Sequence, residues 1–362
     1  MPTAAQPTTD YHPGTGTKED PKKINLALQG GGAHGAFAWG VLDQICHDGR
    51  LVIDGLSACS AGAMNASVYT YGKMKGGLEG ARKALHDFWL DISAEGKRCN
   101  PIQPTVWERM FLGWGNLDES FSYLAFDGVT KMLSPYQFNP LNINPLKDVL
   151  KRHVNFEEIV NAKCTKLFIN ATNVRTNKIK IFHGPQLTLD AVLASACLPM
   201  LFQAVEINGQ AYWDGGYMGN PALYPLIYDT QTEDIVIIHI NPIVRDEIPK
   251  TARDIFNRIN EVSFNSSLLR ELRAVEFAKR LVEDEMIKPE YRGHFRFNRL
   301  NMHSIRADEI MRDYHVATKF SPDWDFLCEL RDHGREAAAQ WIDEHLDNIG
   351  HRSTVDLREV FD

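Results

Sequence analysis

The chain has 362 residues, 44% of them hydrophobic, with 39 Lys+Arg against 47 Asp+Glu and a net charge of −8. Such a chain can bury a sizeable core, as one large domain or one domain with an extension. The acidic balance argues against nucleic acid as the main partner and against long-range capture by anionic membranes. The six cysteines, Cys46, Cys59, Cys99, Cys164, Cys197 and Cys328, form no C-x-x-C pair, so neither a zinc site nor a disulfide framework is expected.

Residues 1–23 are rich in Pro, Thr and Gly and read as a disordered tail without the apolar core of a secretory signal. No run of about 18 apolar residues follows, and a reducing cytoplasmic setting is the default expectation. Ile24 to Leu28 reads as a strand that ends in Gly30-Gly31-Gly32. A helical pattern then carries Phe37, Val41, Leu42 and Ile45, and Gly49 stops it. Leu51 to Ile53 opens a second strand, and Ala63 to Tyr71 and Leu78 to Leu90 read as helices. Residues 101–145 are aromatic-rich, with Trp107, Phe111 and Trp114 at their start, and interrupted by Gly, Pro and Asn. They read as an irregular insertion: extra core, an acyl-chain pocket or a lid.

Lys166 to Thr172 and Ile179 to Phe182 are strand-like, and Leu189 to Ala196 is a short helix. Asn208-Gly209, between Val205–Ile207 and Ala211–Trp213, is a strong hairpin signal. Ile235 to Ile240 is a β-branched run suited to a buried strand. Thr251 to Met286 is a long charged helix or helix pair, and its basic residues from Arg253 to Arg280, set among acids, read as a solvated face or, second to that, an interfacial or oligomer surface. Phe295 to Leu300 reads as an edge strand, and Pro322 to Ile349 as mostly helical. Alternating strands and helices predict an α/β fold with a largely parallel sheet.

Three motifs carry chemistry. The glycine loop fits two templates besides a plain tight turn. Gly30-x-Gly32-x-x-Gly35 after a strand is the dinucleotide fingerprint, with Asp54 standing where a ribose-binding acid belongs. The same loop, at a helix N-terminus, aims backbone N–H groups at one point and would serve as an oxyanion hole. Ala58-Cys59-Ser60-Ala61-Gly62 has the shape of a nucleophile elbow, G-x-S-x-G, with Ala58 in place of the first glycine; read plainly, Ser60 is a helix N-cap. Asp214-Gly215-Gly216 places an acid at a strand end where the backbone can approach another closely, or is a simple turn. No histidine lies in a loop with a distinctive signature, so His239, His294 and His303 read as structural or surface residues rather than members of a Ser–His–Asp triad.

Gly-Gly-Gly-x-x-Gly, then x-Ser-x-Gly, then Asp-Gly-Gly, with the small-residue segment Ala194–Pro199 between the last two, resembles the patatin-like phospholipase family from about Ile24 to Tyr228. The resemblance implies a three-layer α/β/α hydrolase fold with a mostly parallel central sheet. It divides the chain into a tail (1–23), a catalytic domain (24–228, including the insertion at about 101–145), and the last core strands with a helical C-terminal extension (229–362). It implies hydrolysis of lipid acyl esters by a Ser60–Asp214 dyad. Gly30, Gly31 and Gly32 would form the oxyanion loop, and Gly35, Gly62, Gly215 and Gly216 would support the motifs. No cofactor and no metal is implied. The partners implied are a lipid or acyl-ester substrate and, transiently, a membrane surface. His34 departs from the basic residue the family usually carries there. Two rival readings stand beside this one: a dinucleotide-binding oxidoreductase built on Gly30–Gly35, and a non-catalytic lipid-binding protein of the same fold.

Overall fold

A computed structural model describes residues 12–99, 120–162, 165–245, 248–288, 299–306, 308–312, 314 and 316–358. The strands are β1 (Lys22–Leu28), β2 (Leu51–Ala58), β3 (Lys166–Asn173), β4 (Lys178–Phe182), β5 (Val205–Ile207), β6 (Gln210–Asp214), β7 (Asp234–His239) and β8 (Asn301–Arg306). The helices are α1 (Gly35–Asp48), α2 (Ala61–Cys99), α3 (Phe121–Met132), α4 (Pro135–Phe138), α5 (Pro145–His153), α6 (Phe156–Ala162), α7 (Leu189–Ser195), α8 (Tyr224–Asp229), α9 (Ala252–Glu283), α10 (Asp308–Met311) and α11 (Trp324–His345). They make the expected three-layer α/β/α fold. The sheet runs β5-β6-β3-β2-β1-β7-β8, with β4 also on β3. The strands β3, β2, β1, β7 and β8 are mutually parallel, while β4 and β6 run antiparallel to β3.

The period-two alternation of the strands divides the core between the two faces. On one face Ile24, Leu26 and Leu28 of β1 and Val236 and Ile238 of β7 pack with α1, α2 and α11. On the other, Ala27, Ile235 and Ile237 pack with Leu226 of α8 and Leu268, Leu272 and Val275 of α9. Both faces are covered, so β1 and β7 read as continuous apolar runs.

Several local expectations are met by the backbone. Asn208 (φ 51°) and Gly209 (φ 72°) turn the β5–β6 hairpin in the left-handed region. Gly76 and Gly77 break α2 into two stretches, which is the boundary expected before Leu78. Thr251 caps one long α9, accepting from the N–H of Asp254, so Thr251 to Met286 holds a single helix rather than a pair.

Other segments differ. The expected tail is ordered from His12: Asp20 O accepts from the N–H groups of Thr15, Gly16 and Thr17, and Lys22 Nζ donates to the Leu346 and Ile349 carbonyls just past α11. The C-terminal part packs intimately on the core. A Cβ on Gly40 of α1 would land on the Arg331 carbonyl, and one on Gly334 of α11 on the Phe37 carbonyl, so these two helices touch backbone to backbone. The edge strand is β8, paired with β7 from Asn301, directly after the segment expected; residues 295–298 lie outside the described residues. So do Trp107, Phe111 and Trp114, while residues 120–145 hold the short helices α3 and α4.

Register places the site. Leu28 of β1 pairs with Ala58 of β2 and Ile238 of β7, and Ala58 pairs with Ile169 of β3. Two residues further on β3, Ala171 pairs with Asp214 at the end of β6. Gly30, Ser60, Ile240 and Asp214 therefore stand at one level, at the carboxyl edge of the parallel strands, where open α/β sheets present their ligand sites.

Candidate active site

Ser60 joins β2 to α2 with φ 52°. That left-handed conformation is uncommon for a residue with a side chain and costs about 1–3 kcal/mol. It turns the chain sharply and leaves Ser60 partly exposed between buried neighbours. Gly62 makes the turn feasible: a Cβ there would lie 2.6 Å from Leu28 O and 2.8 Å from Gln29 O, so only glycine lets α2 begin on top of β1. Ala58 needs no glycine. It is an ordinary strand residue paired with Leu28 and Ile169, and its φ is not positive.

The small-residue segment links the two chemical groups. Ser195 Oγ accepts from the Ser60 N–H at 2.9 Å, and Cys197 O accepts from the Asp214 N–H at 2.8 Å. Thr172 Oγ1 donates to Asp214 O at 2.8 Å. Asp214 is fully buried. Its Oδ1 accepts from the Gly216 N–H at 2.7 Å and from Cys59 Sγ at 3.5 Å, and its Oδ2 has no hydrogen-bond partner among the described residues. Burial pushes the carboxyl up to about 6, against the Gly216 N–H, the nearby Ser60 and Cys59 side chains and the Lys319 charge, which all favour the ionised form. Gly215 and Gly216 are obligatory here: a Cβ on the first would strike Asn170 O and one on the second the Phe264 ring.

The glycine loop is clamped at one peptide. Gly30 packs so closely on the elbow that a Cβ would lie 2.6 Å from Ser60 Cβ. Its N–H donates to Asn220 Oδ1 at 2.6 Å, and its carbonyl accepts from Asn241 Nδ2 at 2.9 Å and Asn220 Nδ2 at 3.4 Å. Gln29 Oε1 in turn accepts from the N–H groups of Ile240 and Asn241 at 2.9 and 3.1 Å. Of the three glycines expected to supply N–H donors, Gly30 is thus already engaged. The N–H groups of Gly31 and Gly32 make no hydrogen bond among the described residues. Gly32, at φ +61°, is held against the Lys319 carbonyl, and Gly35 lets α1 meet Ala61, whose Cβ would lie 2.7 Å from its own.

The remaining candidates fall away from the site. His34 is buried, with Nε2 2.6 Å from Thr318 Oγ1 and its ring against Tyr314 and Phe326. Burial first, then the Lys319 and Arg245 charges, hold it well below its ordinary value, so it is neutral packing rather than a cation. His303 Nε2 bonds Asp234 Oδ1 at 3.0 Å and Nδ1 bonds Thr354 Oγ1 at 3.0 Å. Burial pushes His239 down to about 3, and His294 lies outside the described residues. Asp54, the acid the dinucleotide reading required, is the extra residue at a register shift within β2: Ile53 pairs with Ile24 and Gly55 with Asn25. It sits four residues short of the strand end, accepting from Thr232 Oγ1 at 2.9 Å. A ribose beyond the carboxyl edge would be about 13 Å away at the rise of a strand. No group of His, Cys, Asp and Glu that could hold a metal ion occurs among the described residues, and no described helix is long and apolar enough to cross a membrane.

A family model described as patatin-like phospholipase matches residues 26–227, more than half of the chain. The chain belongs to this family. It is 24% identical over 246 residues to the protein named Lysophospholipase NTE1 of Cryptococcus neoformans var. neoformans serotype D, in strains JEC21 and B-3501A. The match covers 66% of this chain and only 13% of the length of those relatives. The solved structure of VipD from Legionella pneumophila is similar at 16% identity and a TM-score of 0.39, over 90% of this chain and 68% of that one.

Sequence reasoning missed Asn220, Asn241 and Gln29, which hold the glycine loop, and Lys319, which lies beside it. Ser195 lay inside a segment already singled out. The others carried no local signal, because the groups they join stand far apart in the chain and only the fold brings them together.

Proposed function

We propose that the protein is a lipid acyl-ester hydrolase working through a Ser60–Asp214 dyad and an acyl-enzyme. One observation carries the reading: a serine on a left-handed elbow and a buried carboxylate of raised pKa share one sheet edge with a glycine loop that offers N–H groups. Ser60 Oγ attacks the ester carbonyl while Asp214 takes its proton, and the N–H groups of Gly31 and Gly32 receive the oxyanion. The tetrahedral adduct collapses, the alcohol leaves with the proton, and Ser60 is acylated. Asp214 then deprotonates a water that attacks the acyl carbon, and passes that proton to the departing Ser60 Oγ as the fatty acid is released. A base near 6 is better matched to this task at neutral pH than an ordinary aspartate near 3.9.

Lysophospholipids, phospholipids and neutral acylglycerols are the substrate classes, in keeping with the family and with the name of the Cryptococcus relatives. With all three supplied in mixed micelles, the purified protein is expected to release free fatty acid from at least one. Absence of release from all of them would defeat the reading. The pH dependence follows from Asp214. The base must be ionised, so kcat/KM should fall as pH drops through about 6, rather than through about 4. An acid limb near pH 4 would show that a solvated carboxylate is at work.

A further inference from the structure

Lys319 lies outside the span matched by the family model, in the 3-10 turn Val316–Phe320. That turn is fastened to the glycine loop twice: Thr318 Oγ1 bonds His34 Nε2 at 2.6 Å, and the Lys319 carbonyl fills the space where a Gly32 Cβ would be. The Lys319 side chain then crosses the site. Its Nζ donates to Asn241 Oδ1 at 2.7 Å and stands 5.9 Å from the centre of the Phe264 ring, the ring that closes over Gly216. Asn241 holds the Gly30 carbonyl with its other amide atom, at 2.9 Å. The peptide is planar and trans, so fixing the Gly30 carbonyl on Asn241 sends the Gly31 N–H the opposite way. The one acid nearby on α9, Glu261, is already paired with Arg245 at 2.6 Å and Arg258 at 2.9 Å. No carboxylate lies within ion-pair distance of the Lys319 ammonium among the described residues.

Building on the ester-hydrolysis reading above, we propose that Lys319 is a positioning residue for that site. Through Asn241 it fixes the direction of the Gly31 N–H, and its charge favours both an ionised Asp214 and an oxyanion at the glycine loop. The titratable and charged groups around it are Glu261, Arg245, Asp214 and His34; those around Asp214 are Cys59, Cys197, Tyr217 and Lys319. Of these, only Asp214 and Lys319 change charge between pH 5 and 9: burial pushes the carboxyl up to about 6 and the ammonium down to about 8. His34 is held neutral, while Cys59, Cys197 and Tyr217 are pushed up by burial. A bell-shaped profile results, with Asp214 on the acid limb and loss of the Lys319 charge on the alkaline limb.

The test is the pH profile of kcat/KM for a neutral short-chain ester in wild type, Lys319→Met and Lys319→Arg. Lys319→Met should lower kcat at least ~10-fold with little change in KM, lose the alkaline limb near 8, and move the acid limb to higher pH. Lys319→Arg should restore most of kcat and carry the alkaline limb out of the measurable range, since guanidinium stays charged. A wild-type profile in Lys319→Met overturns the inference. Where Lys319→Met does not fold, an alkaline limb remaining near 8 in Lys319→Arg overturns it instead. Loss of the underlying reading looks different: the wild type would then hydrolyse no ester, or hydrolyse it without needing Ser60.

Discussion

Asp214→Asn should abolish ester hydrolysis and yet make the protein more stable. The amide keeps the shape and the oxygen that accepts from Gly216, but it cannot take the Ser60 proton. A loss of roughly four to six orders of magnitude in kcat is the scale for disabling a group that acts with a serine nucleophile. The gain in stability follows from the sign of the shift. The folded-state pKa of Asp214, about 6, is raised above the ordinary value of 3.8. A raised carboxyl contributes stability below about pH 4 and loses that contribution as pH rises through 6, because the buried ionised form is disfavoured. At pH 7 the native protein therefore carries a penalty on the order of 3 kcal/mol, which an amide does not. Asp214→Asn should melt a few degrees above wild type at pH 7 and much closer to it at pH 4. Ser60→Ala should be equally inactive without that pH-dependent gain. The double variant should be no worse than either single one, because the pair acts as a unit. Near-normal turnover in either purified variant would remove the dyad.

The two free glycines of the loop should respond differently to the same added methyl. Gly32→Ala forces a side chain into φ +61° and onto the Lys319 carbonyl, a backbone atom that cannot step aside. The loop must shift, and kcat should fall by roughly 10²-fold or more, the scale of losing one oxyanion donor, together with a clear loss of thermal stability. Gly31 has φ 176°, which is extended backbone open to any residue, and its Cβ would meet the Ile240 Cδ1 methyl at 2.8 Å. That side chain can rotate, so Gly31→Ala should fold normally and lose less activity. Gly31→Val, with no such room, should approach the Gly32→Ala defect. Kinetics and melting curves for the three variants check the order; a Gly32→Ala enzyme with wild-type kcat would contradict the assignment of the loop.

The sequence shows its local geometry wherever a motif is compressed into a few residues. The elbow, the Asp-Gly-Gly turn and the glycine loop were legible because each needs small residues at fixed offsets, and the structure shows why. Gly62 must clear the end of β1, Gly216 must clear Phe264, and Gly32 needs a positive φ. The fold class was legible from Ile24–Leu28 and Ile235–Ile240, which are buried on both faces. What depends on register was not. Asn220 and Asn241 reach Gly30 from chain positions about 190 and 211 residues away, and no local pattern marks them. Lys319 looks like any surface lysine until the α11 side of the molecule is folded against the loop. Asp54 misled because its distance from the glycines in sequence suits a ribose contact, but β2 runs on to Ala58 and leaves it mid-strand. Ala58 signalled a departure that the backbone does not register, since that position keeps a strand conformation.

The central claim is that Ser60 is a nucleophile, and active-site labelling addresses it without assuming a substrate. Wild-type protein treated with a fluorophosphonate, digested and mapped by mass spectrometry, should carry one phosphonyl group, on Ser60. The label should be absent from Ser60→Ala and blocked by prior incubation with a slowly turned-over ester. A protein that hydrolyses lipid esters yet is labelled on another residue, or is not labelled at all, would contradict the account.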